Sequence, residues 1–149
     1  MPNTFLHSLT VDERAECLER GSLRARAAGE MLVQADAPFS SLSVILSGSA
    51  DVRRRDGVVL ATLGAGDVVG EMSFLNGRPR TADVAAMTDA EVLLITREFL
   101  ERLTRGAPAV AARLLMNLSM YLVDRLQNTT QGLVSMMEQR APPAAPVSN

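Results

Sequence analysis

A change of hydrophobic period near residue 97 constrains this chain more than any other feature. Before it, apolar residues come in short alternating runs. Leu42, Val44 and Leu46 alternate with Ser41, Ser43 and Ser47, which predicts a half-buried strand. Gly48 interrupts it, and Ala50 and Val52 resume an alternation. Asp56-Gly57 is a hairpin signal, with residues 58–63 as the returning strand. Residues 82–87 and 90–96 complete the β region. Turn signals recur at Gly29, Asp36-Ala-Pro38, Gly48, Asp56-Gly57, residues 64–67, Gly77 and Asp89. Short strands at that spacing predict a sandwich or barrel.

After residue 97 the pattern is helical. Phe99, Leu100 and Leu103 share a face, and Gly106 is the expected end. Residues 107 to about 139 form one long helical pattern, with Pro108 in the first turn, where proline is tolerated. Leu115, Ser119, Leu122, Leu126, Thr129, Leu133 and Met136 fall at alternating steps of four and three. That is the spacing of a coiled-coil seam. A small barrel cannot cover so long a stripe, so a homodimer through the C-terminal helix is expected. Met116, Met120, Met136 and Met137 belong to the same core or dimer packing. Gly132 weakens the helix and marks a site for a bend. At the other end of the chain, Thr10 and Glu13 have capping-box spacing. A short helix should run to about Arg20, with Gly21 as its stop and Val11, Ala15 and Leu18 on one face. Cys17 reads as a small buried hydrophobe.

Composition narrows the function. A chain of 149 residues is about one domain. Its net charge of −2 argues against non-specific nucleic-acid binding. One cysteine allows no intramolecular disulfide, and one histidine, His7, allows no multi-histidine metal site. His7 itself reads as a surface or packing residue. Arg53-Arg54-Arg55 sits beside the hairpin turn as a solvated strand end. No apolar run is long enough to span a bilayer, and the N-terminal residues lack the features of a signal peptide. A cytoplasmic protein with no membrane partner is expected.

The stretch from Gly70 to Val84, GEMSFLNGRPRTADV, carries the chemistry. Gly70 lets a ligand approach the backbone closely. Residues 71–75 can form one helical turn, whose free N–H groups suit an anion. Glu71 at that turn calls for a partner with donors, such as a sugar hydroxyl. Asn76-Gly77 turns the chain, and Pro79 stiffens the approach to Arg80. A guanidinium there can bind a phosphate through two parallel hydrogen bonds, and Thr81 adds a hydroxyl. Phosphate donors at one end and a sugar-hydroxyl acceptor at the other describe a nucleotide site.

This stretch resembles the phosphate-binding cassette of the cyclic nucleotide-binding domain family. The family pattern is Gly-Glu, apolar residues, a turn, then Pro-Arg-(Ala, Ser or Thr)-Ala. Here it reads Gly70-Glu71 and Pro79-Arg80-Thr81-Ala82. The nine-residue step from Glu71 to Arg80 resembles the short cassette of the family's kinase and channel members. Gly29-Glu30, Asp36, Val44 to Gly48 and Gly66-Asp67 stand where members carry turn and strand signatures. Ser73 and Phe74 depart from the common alanine or glycine and leucine.

The resemblance implies a mainly β fold: an eight-stranded, jelly-roll-like β-roll with an N-terminal helix and a long C-terminal helix. It would occupy residues 1–140, with the roll at about 22–96, the C-terminal helices at about 97–140, and a disordered Ala/Pro tail at 141–149. Arg80 would pair with the cyclic phosphate, and Glu71 would accept from the ribose 2′-hydroxyl. Backbone groups of Gly70, Glu71, Met72 and Ser73, and the Thr81–Ala82 edge, would complete the cradle. Arg125-Leu-Gln-Asn-Thr-Thr130 resembles the dimer helix of the catabolite activator class. There, two adjacent hydroxyl residues reach the purine; Thr129 and Thr130 match them. That pair suggests cAMP. Thr81 suggests cGMP, by its resemblance to cGMP-preferring relatives, and the expectation tips only slightly to cAMP.

The expected function is a cyclic nucleotide sensor without its own output domain. It would signal to a protein effector through its C-terminal helix and dimer geometry, hinged near Gly106. No helix-turn-helix segment follows the long helix, so no DNA partner is expected. No catalytic residue, metal or cofactor is expected beyond the ligand cAMP or cGMP. The alternative is a dimeric interaction module that keeps the fold and binds no nucleotide.

Overall fold

A computed structural model of the chain describes residues 5–6, 9–33, 41–78, 80 and 82–140, with the side chains of Met72 and Arg140 outside that description. His7, Asp36-Ala-Pro38, Pro79, Thr81 and the tail at 141–149, all singled out from the sequence, lie outside the described residues.

The first helix, α1 (Val11–Arg20), begins at a complete capping box. The Glu13 N–H donates to Thr10 Oγ1, and the Thr10 N–H donates to the Glu13 carboxylate, both at 3.1 Å. Two orphan donors of the helix start are thereby satisfied. The buried face is not the expected one. Val11 is 85% exposed and Ala15 is exposed, whereas Cys17 is fully buried and Leu18 half-buried. Only the second half of α1 reaches the core, so the helical period in its first half has nothing to pack against. Burial pushes the Cys17 thiol up to about 11, with Glu16 and Glu13 adding to the shift.

Among the described residues, eight strands follow in two antiparallel sheets. They are β1 (Ser22–Arg26), β2 (Met31–Val33), β3 (Ser41–Ser47), β4 (Ala50–Arg53), β5 (Val59–Leu63), β6 (Val68–Val69), β7 (Asp83–Ala86) and β8 (Ala90–Thr96). One sheet has the order β1-β8-β3-β6, the other β2-β7-β4-β5. The β3–β8 register sets Val44 against Leu93, and β4–β7 sets Ala50 against Ala86. The Asp56-Gly57 signal makes the β4–β5 hairpin, where Arg54 accepts from Gly57 and donates to Val58. Arg54 pairs with Asp56 at the exposed hairpin end, as expected, whereas Arg53 is half-buried and pairs with the buried Asp51.

β3 is more buried than its alternation predicts. Leu42 and Val44 join the larger core with the helices, while Ile45 joins a second cluster with Ala50, Val69, Val84 and Val92 between the sheets. Ser43 is buried as well. The strand lies between β8 and β6, with apolar clusters on both faces, so neither face of its middle, residues 42–45, meets water, while Ser47 at its end is exposed.

Helix α2 (Glu71–Asn76) interrupts the strands between β6 and β7. Beyond the roll, α3 (Arg97–Gly106) and α4 (Pro108–Arg140) follow the expected helical pattern. Thr96 caps α3 by accepting from the Phe99 N–H at 3.0 Å. Phe99, Leu103, Val110, Ala111, Leu114, Leu118 and Tyr121 share the core with α1 and β3. Both sides of the Gly106 junction are thus packed into the body. The helix α4 runs through Gly132 without a break. Its seam residues Leu115, Leu126, Leu133 and Met136 are exposed, and Leu122 packs against the core. Among the described residues, no helix is long and apolar enough to cross a membrane.

Candidate functional site

The site grows from a two-residue strand. β6 ends at Val69, and Gly70 takes the left-handed conformation (φ 83°, ψ 13°) as the N-cap of α2. A side chain would be strained there. It would also have no room, because a Cβ on Gly70 would fall on the Arg80 guanidinium. Glycine at 70 and arginine at 80 are one steric arrangement. The far end of α2 is tied down separately. Phe74 is in the core, the Arg97 guanidinium lies 5.2 Å from its ring centre, and Arg97 donates to the Phe74 carbonyl at 2.8 Å.

Arg80 is only 8% exposed. Its Nη2 donates to the Ser41 carbonyl at 2.7 Å. Its Nη1 is buried with no hydrogen-bond partner among the described residues. Burial draws this guanidinium below its ordinary pKa, and Glu71 opposes that shift. A buried orphan donor on a cation is costly, and its natural complement is an anionic oxygen.

Glu71 is 4% exposed, and its ion pair is with Arg125 of α4 rather than with Arg80. Burial pushes its carboxyl above the usual range, with Arg125 and then Arg80 pulling the other way. The pair stands between two hollows. One, of about 140 Å³, is lined by Val33, Ser73, Arg80, Ala82 and Val84 together with Glu71 and Arg125. The other, of about 350 Å³, is lined by Glu71, Leu122, Arg125, Leu126 and Thr129. The inner hollow presents cationic donors and a serine; the outer one is mostly apolar, with a threonine at its edge.

Gly70, Glu71, Ser73, Arg80 and Ala82 therefore surround one cavity. Thr129 reaches the outer hollow, whereas Thr130 is exposed and lines neither. Thr81 and the Met72 side chain lie outside the described residues. Arg125 was not among the site residues drawn from the sequence. Its signal was faint but real: between Leu114 and Met137, Asp124 and Arg125 are the only charged residues. No group of three or more His, Cys, Asp or Glu among the described residues could hold a metal ion.

A family model of the cyclic nucleotide-binding domain matches residues 23–106. The chain belongs to the cyclic nucleotide-binding domain family. This domain is 36% identical to glutaminase 2 of Bradyrhizobium diazoefficiens over 82% of its own length and 19% of the relative's. It is 31% identical to the cGMP-dependent protein kinase egl-4 of Caenorhabditis elegans, over 91% of this chain and 17% of the kinase. The domain thus spans about a fifth of these curated relatives. Among solved structures, the catabolite activator protein of Thermus thermophilus superposes with a TM-score of 0.74 at 28% identity, covering 89% of this chain and 62% of that one. The two sheets, the N-terminal helix and the long C-terminal helix are the family's β-roll. The chain is a cyclic nucleotide-binding domain homologous to cAMP and cGMP sensors, and its fold is a binding fold, found in relatives joined to enzymes.

Proposed function

We propose that this domain is a cyclic nucleotide sensor whose pocket is the pair of hollows joined at Glu71 and Arg125. The observation that carries the reading is the buried Nη1 of Arg80, without a hydrogen-bond partner among the described residues, on a guanidinium that packs against Gly70 and lines the cavity. The cyclic phosphate takes that donor. The ribose 2′-hydroxyl donates to Glu71. The purine occupies the apolar outer hollow beside Leu122 and Leu126, with Thr129 at its polar edge, and cAMP is slightly favoured over cGMP. Output runs through α4, whose exposed seam of Leu115, Leu126, Leu133 and Met136 suits a second copy of the chain. A ligand shifts that assembly, or the affinity for a protein effector, only as far as it prefers one state.

Thermal unfolding in the presence of cAMP and of cGMP tests the reading, with Arg80→Ala as control. Ligand at 100 times its dissociation constant stabilises by about 2.7 kcal/mol, a melting shift of roughly 5–10 °C. A shift with either nucleotide that disappears in the variant supports the sensor. Flat curves for both nucleotides leave a dimerising module that binds neither.

A further inference from the structure

Among the described residues, β6 is the last strand of its sheet and pairs only with β3. Its open edge would leave the N–H and C=O of Val68 without partners inside the protein. One side chain serves both. The Val68 N–H donates to the Tyr121 hydroxyl at 3.1 Å, and that hydroxyl donates to the Val68 carbonyl at 3.2 Å. Tyr121 is 5% exposed and acts as a one-atom strand partner. Its ring does a second thing. Arg125, one helical turn further along α4, lies with its guanidinium carbon 5.7 Å from the ring centre. That guanidinium is the partner of Glu71.

Tyr121 therefore supports Glu71 from two sides. The backbone route runs Val68-Val69-Gly70-Glu71, and the side-chain route runs through Arg125. Arg80 has a different support, the Ser41 carbonyl on β3. Tyr121 is also the last buried side chain of α4, since Leu122 is half-buried and residues 123–139 are all exposed. The chain holds no other tyrosine and no tryptophan.

From these contacts we infer that Tyr121 is a positioning residue for the hydroxyl-binding half of the pocket, and that it links the seating of Glu71 to the free half of α4. The inference rests on the nucleotide reading of the pocket. It separates the two ends of the ligand: loss of the Tyr121 hydroxyl unseats the ribose acceptor and leaves the phosphate donor in place.

The test compares cAMP with 2′-deoxy-cAMP on the unaltered chain and on Tyr121→Phe. The unaltered chain should prefer cAMP. In the variant, cAMP should weaken about tenfold while 2′-deoxy-cAMP stays within about twofold, so the discrimination collapses. Equal weakening of both nucleotides shows a merely structural tyrosine and overturns the inference, as does unchanged discrimination. Absence of any binding by the unaltered chain removes the reading of the pocket together with this inference. Should Tyr121→Phe fail to fold, the native chain still decides. Its tyrosine emission belongs to residue 121 alone, so saturating cAMP should change it more than saturating 2′-deoxy-cAMP at matched adenine absorbance. An emission that ignores both ligands, once binding is established calorimetrically, overturns the proposal.

Discussion

Arg80 and Glu71 lie at similar depth in the same cavity, with opposite charges and in opposite states. Arg80 keeps one nitrogen without a partner among the described residues, and its other contact is a backbone carbonyl on β3. Glu71 is already paired, and its partner Arg125 sits on a side chain 43% exposed. The first arrangement is a fixed receptor, in which unmet hydrogen-bonding capacity is held ready for an anion. The second is a closed contact that a ligand must share or displace. Cost explains the asymmetry. An orphaned donor costs less than a carboxylate buried with no cation near it, and the carboxylate has an arginine of α4 within reach.

The comparison breaks most sharply at Arg80. Arg80→Ala should weaken nucleotide binding about a hundredfold while leaving the fold cooperative, checked by calorimetry and melting of the same sample. Glu71→Gln should cost about tenfold in affinity for a ribonucleotide, and little for its 2′-deoxy form. Its stability should follow pH with a definite sign. The folded Glu71 carboxyl is raised by burial, so its contribution is fully present below the unfolded value near 4.5. That contribution is lost as pH rises through the higher folded value. The melting point of the unaltered chain should therefore fall relative to Glu71→Gln as pH climbs from about 4 towards neutrality.

Gly70→Ala sharpens the claim that positions 70 and 80 share one space. Alone it should weaken binding several-fold, through displaced Arg80 and a strained left-handed backbone worth about 1 kcal/mol. In an Arg80→Ala background only the strain should remain, and a double-mutant cycle reads the difference. The smallest effect belongs to Cys17, which is buried in the core away from the pocket. Cys17→Ala should shift nucleotide affinity by less than about twofold. With its thiol held at about 11, labelling of the native protein at pH 8 should run about a hundredfold slower than for a free thiol, and slower still from lack of access.

Local chemistry was legible in the sequence where local groups decide the outcome. The Thr10–Glu13 cap, the Asp56-Gly57 hairpin, β8 and the two C-terminal helices follow from neighbours within a few residues. The cassette stood out because Gly70, Glu71 and Arg80 lie close together in the chain. β6 did not stand out. Two residues carry no period, and its partners are β3 and a tyrosine 53 residues away. Arg125 was hidden for the same reason, since 54 residues separate it from Glu71. The face of α1 was misread because periodicity gives a stripe and cannot say how far along the helix the core extends. The second buried face of β3 was missed because Ser43 looks like a solvent position, whereas it is buried beside Ile45 in a filled interior; Ser47 is exposed as its type suggests.

The place where α4 leaves the body has a mechanical consequence. Beyond the half-buried Leu122 the helix continues to Arg140 with every described side chain exposed. At 1.5 Å per residue that arm is about 27 Å long. A tilt of about 10° at its root sweeps the tip through about 5 Å, the height of one helical turn. A shift of about 1 Å at Arg125, about 6 Å from the fulcrum, would thus reach the far end magnified about fivefold, large enough to change which seam residues meet across a pair of helices.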